Sequence, residues 1–288
     1  MNRVCAAICS GLLTVVFVST PLAQTAAPPP VNPTDLVRRA IQHRFDADTR
    51  HQPERYLLHV QDERHNTTKD IIETKDGDVA RLISAEGKPL SPIRNQAELA
   101  RLDNLAANPD LQRHHHSSER KDAERIDRLM ALLPDAMLYH LEGIEPCNAG
   151  RCYHLSFTPN PNWTPPDLES KIFRGIAGDA WIDVAQERLT RLEGHFITDV
   201  TFGFGILGKV YKGGSIGLEQ TNVLVKDWEL TSLKVNVTGK AFMIKSMNVR
   251  IEEDASHFTL APAGLDYRQA IQLLKTSHPL ESTTAANR

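Results

Sequence analysis

Apolar and polar residues alternate with a period of two along most of this chain, which is typical of β-strands that bury one face. The first such run is Arg55–Arg64. Two further runs, Asp70–Thr74 and Val79–Ser84, flank the turn sequence Lys-Asp-Gly-Asp. Because turn residues between two alternating runs predict a β-hairpin, we expect these first strands to form an antiparallel meander.

From Met137 onward, the pattern predicts one strand after another. The longest run is Leu233–Ile251, whose apolar residues keep one parity except within Ala241–Ile244, where both faces are apolar. Because glycine weakens the interior of a strand and often marks a bend, we expect two strands that join near Gly239 or Lys245.

Helical spacing of apolar residues occurs in three places. Asp35–Arg44 predicts a short amphipathic helix, Gln96–Leu133 predicts two charged helices that end at Pro134, and Asp266–Leu274 predicts a terminal helix. Many strands, few helices and no regular strand–helix alternation indicate a mainly β domain. We expect a curved antiparallel sheet of about ten strands, a barrel or an unclosed barrel, with helices against one side.

The N-terminal residues 1–23 have the features of a secretory signal peptide, with Arg3 before an apolar run and small residues up to Ala23. We expect cleavage after Ala23, a proline-rich linker over 24–33, one β domain over 34–276 and a disordered polar tail over 277–288. No other segment approaches the length of a transmembrane helix. We therefore expect the protein in the periplasm or outside the cell. The alternative is that the leader is not cleaved and anchors the protein in the membrane.

Charge and aromatic content narrow the range of partners. A net charge of −3 argues against a nucleic-acid partner, which needs a basic face. Aromatic residues make up only 6% of the chain, and Trp163, Trp181 and Trp228 lie far apart in sequence. The sequence therefore predicts no stacking platform for single-stranded nucleic acid or sugars, whereas a small or lipid ligand remains compatible with it.

Cys147 and Cys152 are the cysteines that remain after the leader. Outside the cytosol such a pair is oxidised, and the Asn-Ala-Gly between them is turn sequence. We predict a disulfide that closes a hairpin. A redox role would need Cys-x-x-Cys at the start of a helix, and two thiols alone do not make a zinc site.

The segment Gly203–Val210 contains the Gly-x-Gly-x-x-Gly pattern of nucleotide-binding loops. In dinucleotide-binding proteins a helix begins at these glycines, whereas here they lie between strand-like runs. Protein kinases need His-Arg-Asp and Asp-Phe-Gly further along the chain, and this sequence contains neither. A glycine-kinked hairpin is therefore the favoured interpretation.

Ser215 lies in Gly-Gly-Ser-Ile-Gly, which matches the Gly-x-Ser-x-Gly nucleophile elbow of α/β-hydrolases. Asp254 and His257 follow in an order that would suit a catalytic triad. The elbow requires a strand, a sharp turn and then a helix, but the residues after Ser215 are strand-like. A secreted serine hydrolase that uses Ser215 is therefore a remote alternative.

The histidines and carboxylates predict no catalytic, metal or cofactor site. His114–His116 are consecutive, so their side chains point in different directions and a metal would need ligands from elsewhere. No pair of carboxylates is fixed in mutual position by the sequence, so a glycosidase-type pair has no support. We therefore expect a protein that is not an enzyme.

In its order of elements, the chain resembles the periplasmic lipoprotein-sorting proteins of the LolA/LolB type. The shared features are a leader, an early amphipathic helix, a meander, a helical interruption and the hairpin Trp181-Ile-Asp183 with Arg188–Leu192. The resemblance implies an unclosed β-barrel with a helical lid, here Gln96–Leu133, and an acyl chain held in the apolar space between them. No functional residue of that family can be matched individually.

The resemblance also implies a ligand, namely a lipid, an acyl chain or an acylated protein. The candidates for lining its cavity are Phe202, Val235, Val237, Met243 and Met247, and ordinary core packing is the alternative for each. The alternative function is that of a structural or assembly protein of the cell envelope, which binds a protein partner through the sheet.

Overall fold

The structure is a computed structural model that describes residues 31–203, 208–224, 228–241, 245–277 and 280. Within them lie the helices α1 (Pro33–Asp48), α2 (Pro92–Ala107), α3 (Pro109–Ala136) and α4 (Tyr267–Thr276), and a 3-10 helix at Glu169–Arg174. The predicted signal peptide and residues 24–30 of the proline-rich linker lie outside the described residues, as does the polar tail apart from residues 277 and 280.

The described strands occupy most of the remaining chain. They are β1 (Glu54–Asp62), β2 (Asn66–Ile72), β3 (Val79–Ala85), β4 (Lys88–Pro89), β5 (Met137–Cys147), β6 (Gly150–Pro159), β7 (Ile176–Asp183), β8 (Leu189–Phe196), β9 (Val200–Phe202), β10 (Gly208–Val210), β11 (Ser215–Asn222), β12 (Trp228–Ala241) and β13 (Lys245–Leu260).

These strands form one antiparallel sheet in the order β4-β3-β2-β1-β13-β12-β11-β8-β7-β6-β5, and the pair β9–β10 joins it through β12. The two end strands of this order, β4 and β5, do not pair with each other. The expected mainly β architecture, with a large antiparallel sheet that is not closed into a barrel and a few helices, is thus confirmed.

One face of the sheet is apolar and carries α1 and α3; we refer to it as the covered face. A row of paired residues crosses it, in which Ala180 lies opposite Leu192, Leu192 opposite Leu218, and Leu218 opposite Leu233. Side chains alternate between the two faces of a strand. The intervening residues, such as Glu193 and Lys234, therefore point to the opposite, polar face.

The main core lies on the covered face beneath α1, α3 and the 3-10 helix. Its buried members are Ala136, Met137, Phe157, Phe173, Ile176, Ala180, Phe196, Val200 and Val210. A second core joins α2 and α4 to the opposite end of the sheet, where Leu102, Ile271 and Leu274 are fully buried. Helices therefore pack on both ends of the sheet.

Helix α2 is positioned by the outer edge of β3. The strand β4 is only two residues long, so most of that edge has no strand beside it. Glu98 accepts a hydrogen bond from the backbone nitrogen of Leu82 (2.8 Å), and Arg101 donates one to the carbonyl oxygen of Ala80 (2.6 Å). Since unpaired backbone groups are costly when they are removed from water, these bonds hold α2 at this edge.

Two glycines allow strands β7 and β8 to approach closely on the covered face. Gly178 lies opposite Gly194, and a Cβ atom on Gly178 would stand 1.8 Å from the carbonyl oxygen of Glu193. No side chain fits in that space, so the position requires glycine. The close approach lies next to Phe196, in the middle of the main core.

The predicted disulfide is confirmed. Cys147 and Cys152 are bonded to each other near the ends of β5 and β6, which form a hairpin with Asn148 and Ala149 in its turn. Cys152 is fully buried. By the loop-entropy estimate, closing so short a loop contributes about 2 kcal/mol to stability.

Candidate ligand cavity

An apolar cavity of about 50 Å³ lies between α1, the C-terminal part of α3 and the covered face of β5–β8. Helix α1 begins where the side chain of Asn32 accepts a hydrogen bond from the backbone nitrogen of Asp35, with Pro33 in its first turn. It buries Leu36, Val37, Ala40 and Ile41, which share one helical face. The lining residues are Val37, Ala40, Ile41, Arg44, Met130, Leu133, Met137, Tyr139, Phe157, Ala180, Ile182, Arg188, Leu189, Leu192 and Gln220.

A wider cleft of about 860 Å³ lies at the C-terminal end of α1. Leu224, Trp228 and Leu260 supply its apolar wall. The remaining lining residues are polar or small: His43, Asp46, Ala47, Arg50, Gln52, Gln186 and Arg188. Because Arg188 lines both the cavity and the cleft, it lies where the two spaces meet.

Two of the ion pairs that hold α1 lie at its exposed rim. Arg39 donates two hydrogen bonds to the carboxylate of Glu187 (2.7 and 2.8 Å), which raise the pKa of Arg39 and lower that of Glu187. Arg38 pairs with Asp135 at 3.4 Å, with both side chains more than half exposed. Exposed ion pairs of this kind contribute little stability. Burial of its apolar side chains is therefore the main interaction that holds α1 on the sheet.

The covered face continues beyond α1 as a partly exposed apolar surface. Leu218, Leu233, Val235, Val249 and Ile251 lie on it and are neither fully buried nor fully exposed. Ile251 pairs with Val235, which in turn lies opposite Ile216. This surface, formed by β11, β12 and β13, lies next to the main core.

The four candidate lining residues that the structure describes lie on the same face but not around the cavity. Phe202 and Val237 are partly buried against the main core. Val235 lies on the partly exposed surface, and Met247 lies opposite Gly239. Met243 is outside the described residues. Their role as ligand contacts stays a prediction.

The helical cover of the cavity differs from the expected Gln96–Leu133 lid. Only Met130 and Leu133 of that segment line the cavity, and α1 supplies the rest of the cover. Helix α2 packs instead with α4 in the second core. The amphipathic pattern of α1 was recognisable in the sequence, but nothing local indicates that α1 packs on β5–β8 rather than on the meander.

The motif around Ser215 does not form a catalytic triad within the described residues. Ser215 is the first residue of β11 and lies opposite His195 and Asn236; a strand follows it where the elbow requires a helix. Asn236 lies opposite Arg250 on β13, four residues before Asp254. At about 3.3 Å per residue, Asp254 is displaced along the sheet by roughly 13 Å.

The remaining two motifs are the glycine pattern of 203–210 and the three consecutive histidines. The antiparallel pairing of β9 and β10 confirms the predicted hairpin; its glycine kink stays a prediction, because residues 204–207 lie outside the described residues. His114–His116 lie in α3, where His115 Nδ1 is 3.0 Å from a carboxylate oxygen of Glu119. In the described part of the chain, no group of three or more His, Cys, Asp or Glu side chains has an arrangement suited to a metal.

No protein-family model and no curated protein matches this sequence. Among solved structures, the chain is similar to one described as an outer membrane lipoprotein-sorting protein domain, from Vibrio parahaemolyticus. The two share 9% identity with a TM-score of 0.31 over 80% of this chain and 95% of that one. It is also similar to a DUF1329 family protein from Desulfovibrio piger, with 13% identity and a TM-score of 0.28 over 81% and 93% of the two chains.

With TM-scores of 0.31 and 0.28, neither likeness carries an argument about a family or a ligand. Among the described residues, no helix has both the length and the apolar character needed to cross a bilayer.

Proposed function

We propose that this protein binds the acyl chain of a lipid or of an acylated protein, as a carrier or sensor without catalytic activity. The observation that carries the proposal is the apolar cavity between α1 and the covered face, together with the apolar surface that continues from it along β11–β13. A ligand held by shape and burial needs no precisely placed polar groups.

The energetics favour a long chain. Each buried CH₂ group contributes about 0.8 kcal/mol, so ten of them offset most costs of association. A cavity of about 50 Å³ accommodates only a few atoms. Binding of a long acyl chain therefore requires α1 to separate from the sheet, which would join the cavity to the apolar surface beside it. The weak rim contacts of α1 are consistent with such a movement.

Two features expected of an exported protein support the same proposal. The N-terminal 23 residues have the pattern of a signal peptide, and the disulfide between Cys147 and Cys152 is stable in an oxidising compartment. We propose a periplasmic or secreted location, in which a lipid or lipoprotein needs a protein to shield its acyl chains from water.

The test is native mass spectrometry of the protein exported by a bacterial host, followed by extraction and identification of any bound lipid. We expect a bound lipid or acylated protein that excess fatty acid displaces. Ala180→Leu places extra volume in the cavity and should reduce lipid occupancy severalfold. His140→Leu adds a similar side chain at an exposed position of β5 and should leave occupancy unchanged.

The proposal fails if the protein carries no ligand and takes up none from added lipid, with its disulfide intact and its fold confirmed by circular dichroism. In that outcome the alternative of an envelope assembly protein gains support, and capture of protein partners on the sheet becomes the relevant measurement.

A further inference from the structure

Arg188 is a buried cation without a carboxylate partner in the described part of the chain. Only 7% of the residue is exposed. Its Nη1 donates one hydrogen bond, to the carbonyl oxygen of His43 (3.3 Å), and no ion pair within 4.0 Å joins it to a described carboxylate. Arginine is rarely buried unless it is paired, because removing its charge from water is costly.

The surroundings of Arg188 are rich in positive charge. Arg44 lines the cavity beside it, and Arg50 lines the cleft on its other side. Burial lowers the pKa of Arg188, and repulsion by Arg44 and Arg50 lowers it further against the attraction of Asp48 and Glu229. A negatively charged ligand beside Arg188 would offset both the cost of burying its charge and the repulsion by Arg44 and Arg50.

The carboxylates nearby are partly occupied with other groups. Asp46, the carboxylate in the lining of the cleft, accepts a hydrogen bond from Gln42 (2.9 Å). Asp48 is 3.6 Å from Nε of Arg44, and burial raises the pKa of this carboxyl. Asp127 lies 3.3 Å from Arg44 on the side of α3. The linings of the cavity and the cleft thus present three arginines and one carboxylate.

We infer that Arg188, assisted by Arg44 and Arg50, binds the oxyanion of an amphiphile whose acyl chain enters the apolar space between α1 and the covered face. The oxyanion is a carboxylate or a phosphate, both of which match the planar fork of donors on a guanidinium. Arg188 lies at the junction of the apolar cavity and the polar cleft, so a head group there leaves the chain pointing inward. This inference rests on the proposed function and adds the chemical class of the ligand.

The experiment compares dodecanoate, dodecyl phosphate and dodecanol, which share one alkyl chain and differ in the head group. Trp228 lines the same cleft and is buried, so binding there changes its contribution to the tryptophan fluorescence of the mature protein, to which Trp163 and Trp181 add a constant background. We expect the wild type to bind at least one of the two anions about tenfold more tightly than dodecanol. The anion that binds more tightly shows whether the preferred head group is the carboxylate of a fatty acid or a phosphate.

Arg188→Gln removes the charge and retains a hydrogen-bond donor for the carbonyl oxygen of His43. We expect this variant to bind the anions no more tightly than dodecanol, with its affinity for dodecanol unchanged. The matched control is Arg39→Gln, which removes a cation that pairs with Glu187 on the same turn and lines neither space. It should keep the preference for anions.

Three outcomes overturn the inference and leave the carrier proposal standing. The first is that all three amphiphiles bind equally to the wild type. The second is that Arg188→Gln retains the preference for anions, and the third is that it loses affinity for dodecanol as strongly as for the anions. If the wild type binds none of the three amphiphiles, the carrier proposal itself fails.

Discussion

Nη1 of Arg188 donates a hydrogen bond to the carbonyl oxygen of His43, so a buried guanidinium joins the turn between β7 and β8 to helix α1. The same turn carries Glu187, which pairs with Arg39 on the outer side of that helix. Two arginines therefore connect α1 to one turn, one buried and one exposed. The apolar residues below them bury more surface than either contact, which leads to the first prediction.

Truncation of the buried face of α1 should destabilise the protein far more than removal of its rim contacts. Leu36 is fully buried, and Leu36→Ala should lower the free energy of unfolding by about 2–5 kcal/mol. Arg39→Ala removes an ion pair that solvent screens, so its cost should stay below about 1 kcal/mol. Urea unfolding measures the change in the free energy of unfolding for each variant. Equal decreases would show that the ion pair contributes as much as burial to holding α1.

The close contact of β7 and β8 gives a second prediction. Gly178→Ala places a Cβ atom against the carbonyl oxygen of Glu193 and should cost about 3 kcal/mol or prevent folding, because backbone must move. Gly217→Ala is the control, since the nearest atom to its Cβ would be the carbonyl oxygen of Leu192 at 3.9 Å. Thermal melting compares them, and a Gly178→Ala protein as stable as the control would contradict the geometry.

The elements themselves could largely be predicted from sequence. The turn Lys-Asp-Gly-Asp predicted the hairpin of β2 and β3, and the apolar spacing of 35–44 predicted α1. The structure extends that helix to Pro33–Asp48, because Asn32 provides the cap and Pro33 fits the first turn. Both features depend on neighbours within a few residues, which is why local patterns were sufficient.

The neighbours of each strand could not be predicted in the same way. Strand β1 pairs with β13, and β8 pairs with β11, and no local pattern encodes either partner. The cavity depends on these long-range pairings and on the side of the sheet that α1 occupies. Arg188 illustrates the result: in the sequence it is one arginine in a polar turn, and it becomes buried only because the end of α1 lies over it.

The raised pKa of His51 predicts that the stability of the protein depends on pH above neutrality. A hydrogen bond to Glu73 (2.6 Å), opposed by burial and aided by the charges of Glu73 and Glu229, raises the pKa of His51 from 6.5 to about 9. The folded state therefore retains a proton that the unfolded chain loses. The stabilisation is fully present below pH 6.5 and is lost as the pH rises through about 9.

Because both side chains are partly exposed, we expect this loss to be about 1 kcal/mol. Urea unfolding between pH 6 and 9.5 measures it, and His51→Gln should flatten the decline in that window. His114→Gln, at an exposed position in α3, should retain the decline. An identical slope in His51→Gln and the wild type would contradict the assignment.

The raised pKa of Asp78 predicts a second loss of stability on raising the pH, in a lower pH range than that of His51. Burial first, and then repulsion by Glu119 and Glu73, raise the pKa of its carboxyl from 3.8 to about 7. The protonated acid is therefore favoured in the folded state, so its contribution is full below pH 3.8 and is lost as the pH rises towards 7. Asp78→Asn keeps the shape and removes the charge, and it should make the protein more stable than the wild type at pH 8.

The wild type and Asp78→Asn should converge as the pH falls towards 4, because the native carboxyl is then protonated and resembles the amide. Asp110→Asn, in the exposed first turn of α3, is the control and should show no such convergence. Unfolding free energies at pH 4, 6 and 8 separate these outcomes. If Asp78→Asn is less stable than the wild type at pH 8, the ionised carboxylate has a favourable partner and its burial is not the dominant effect.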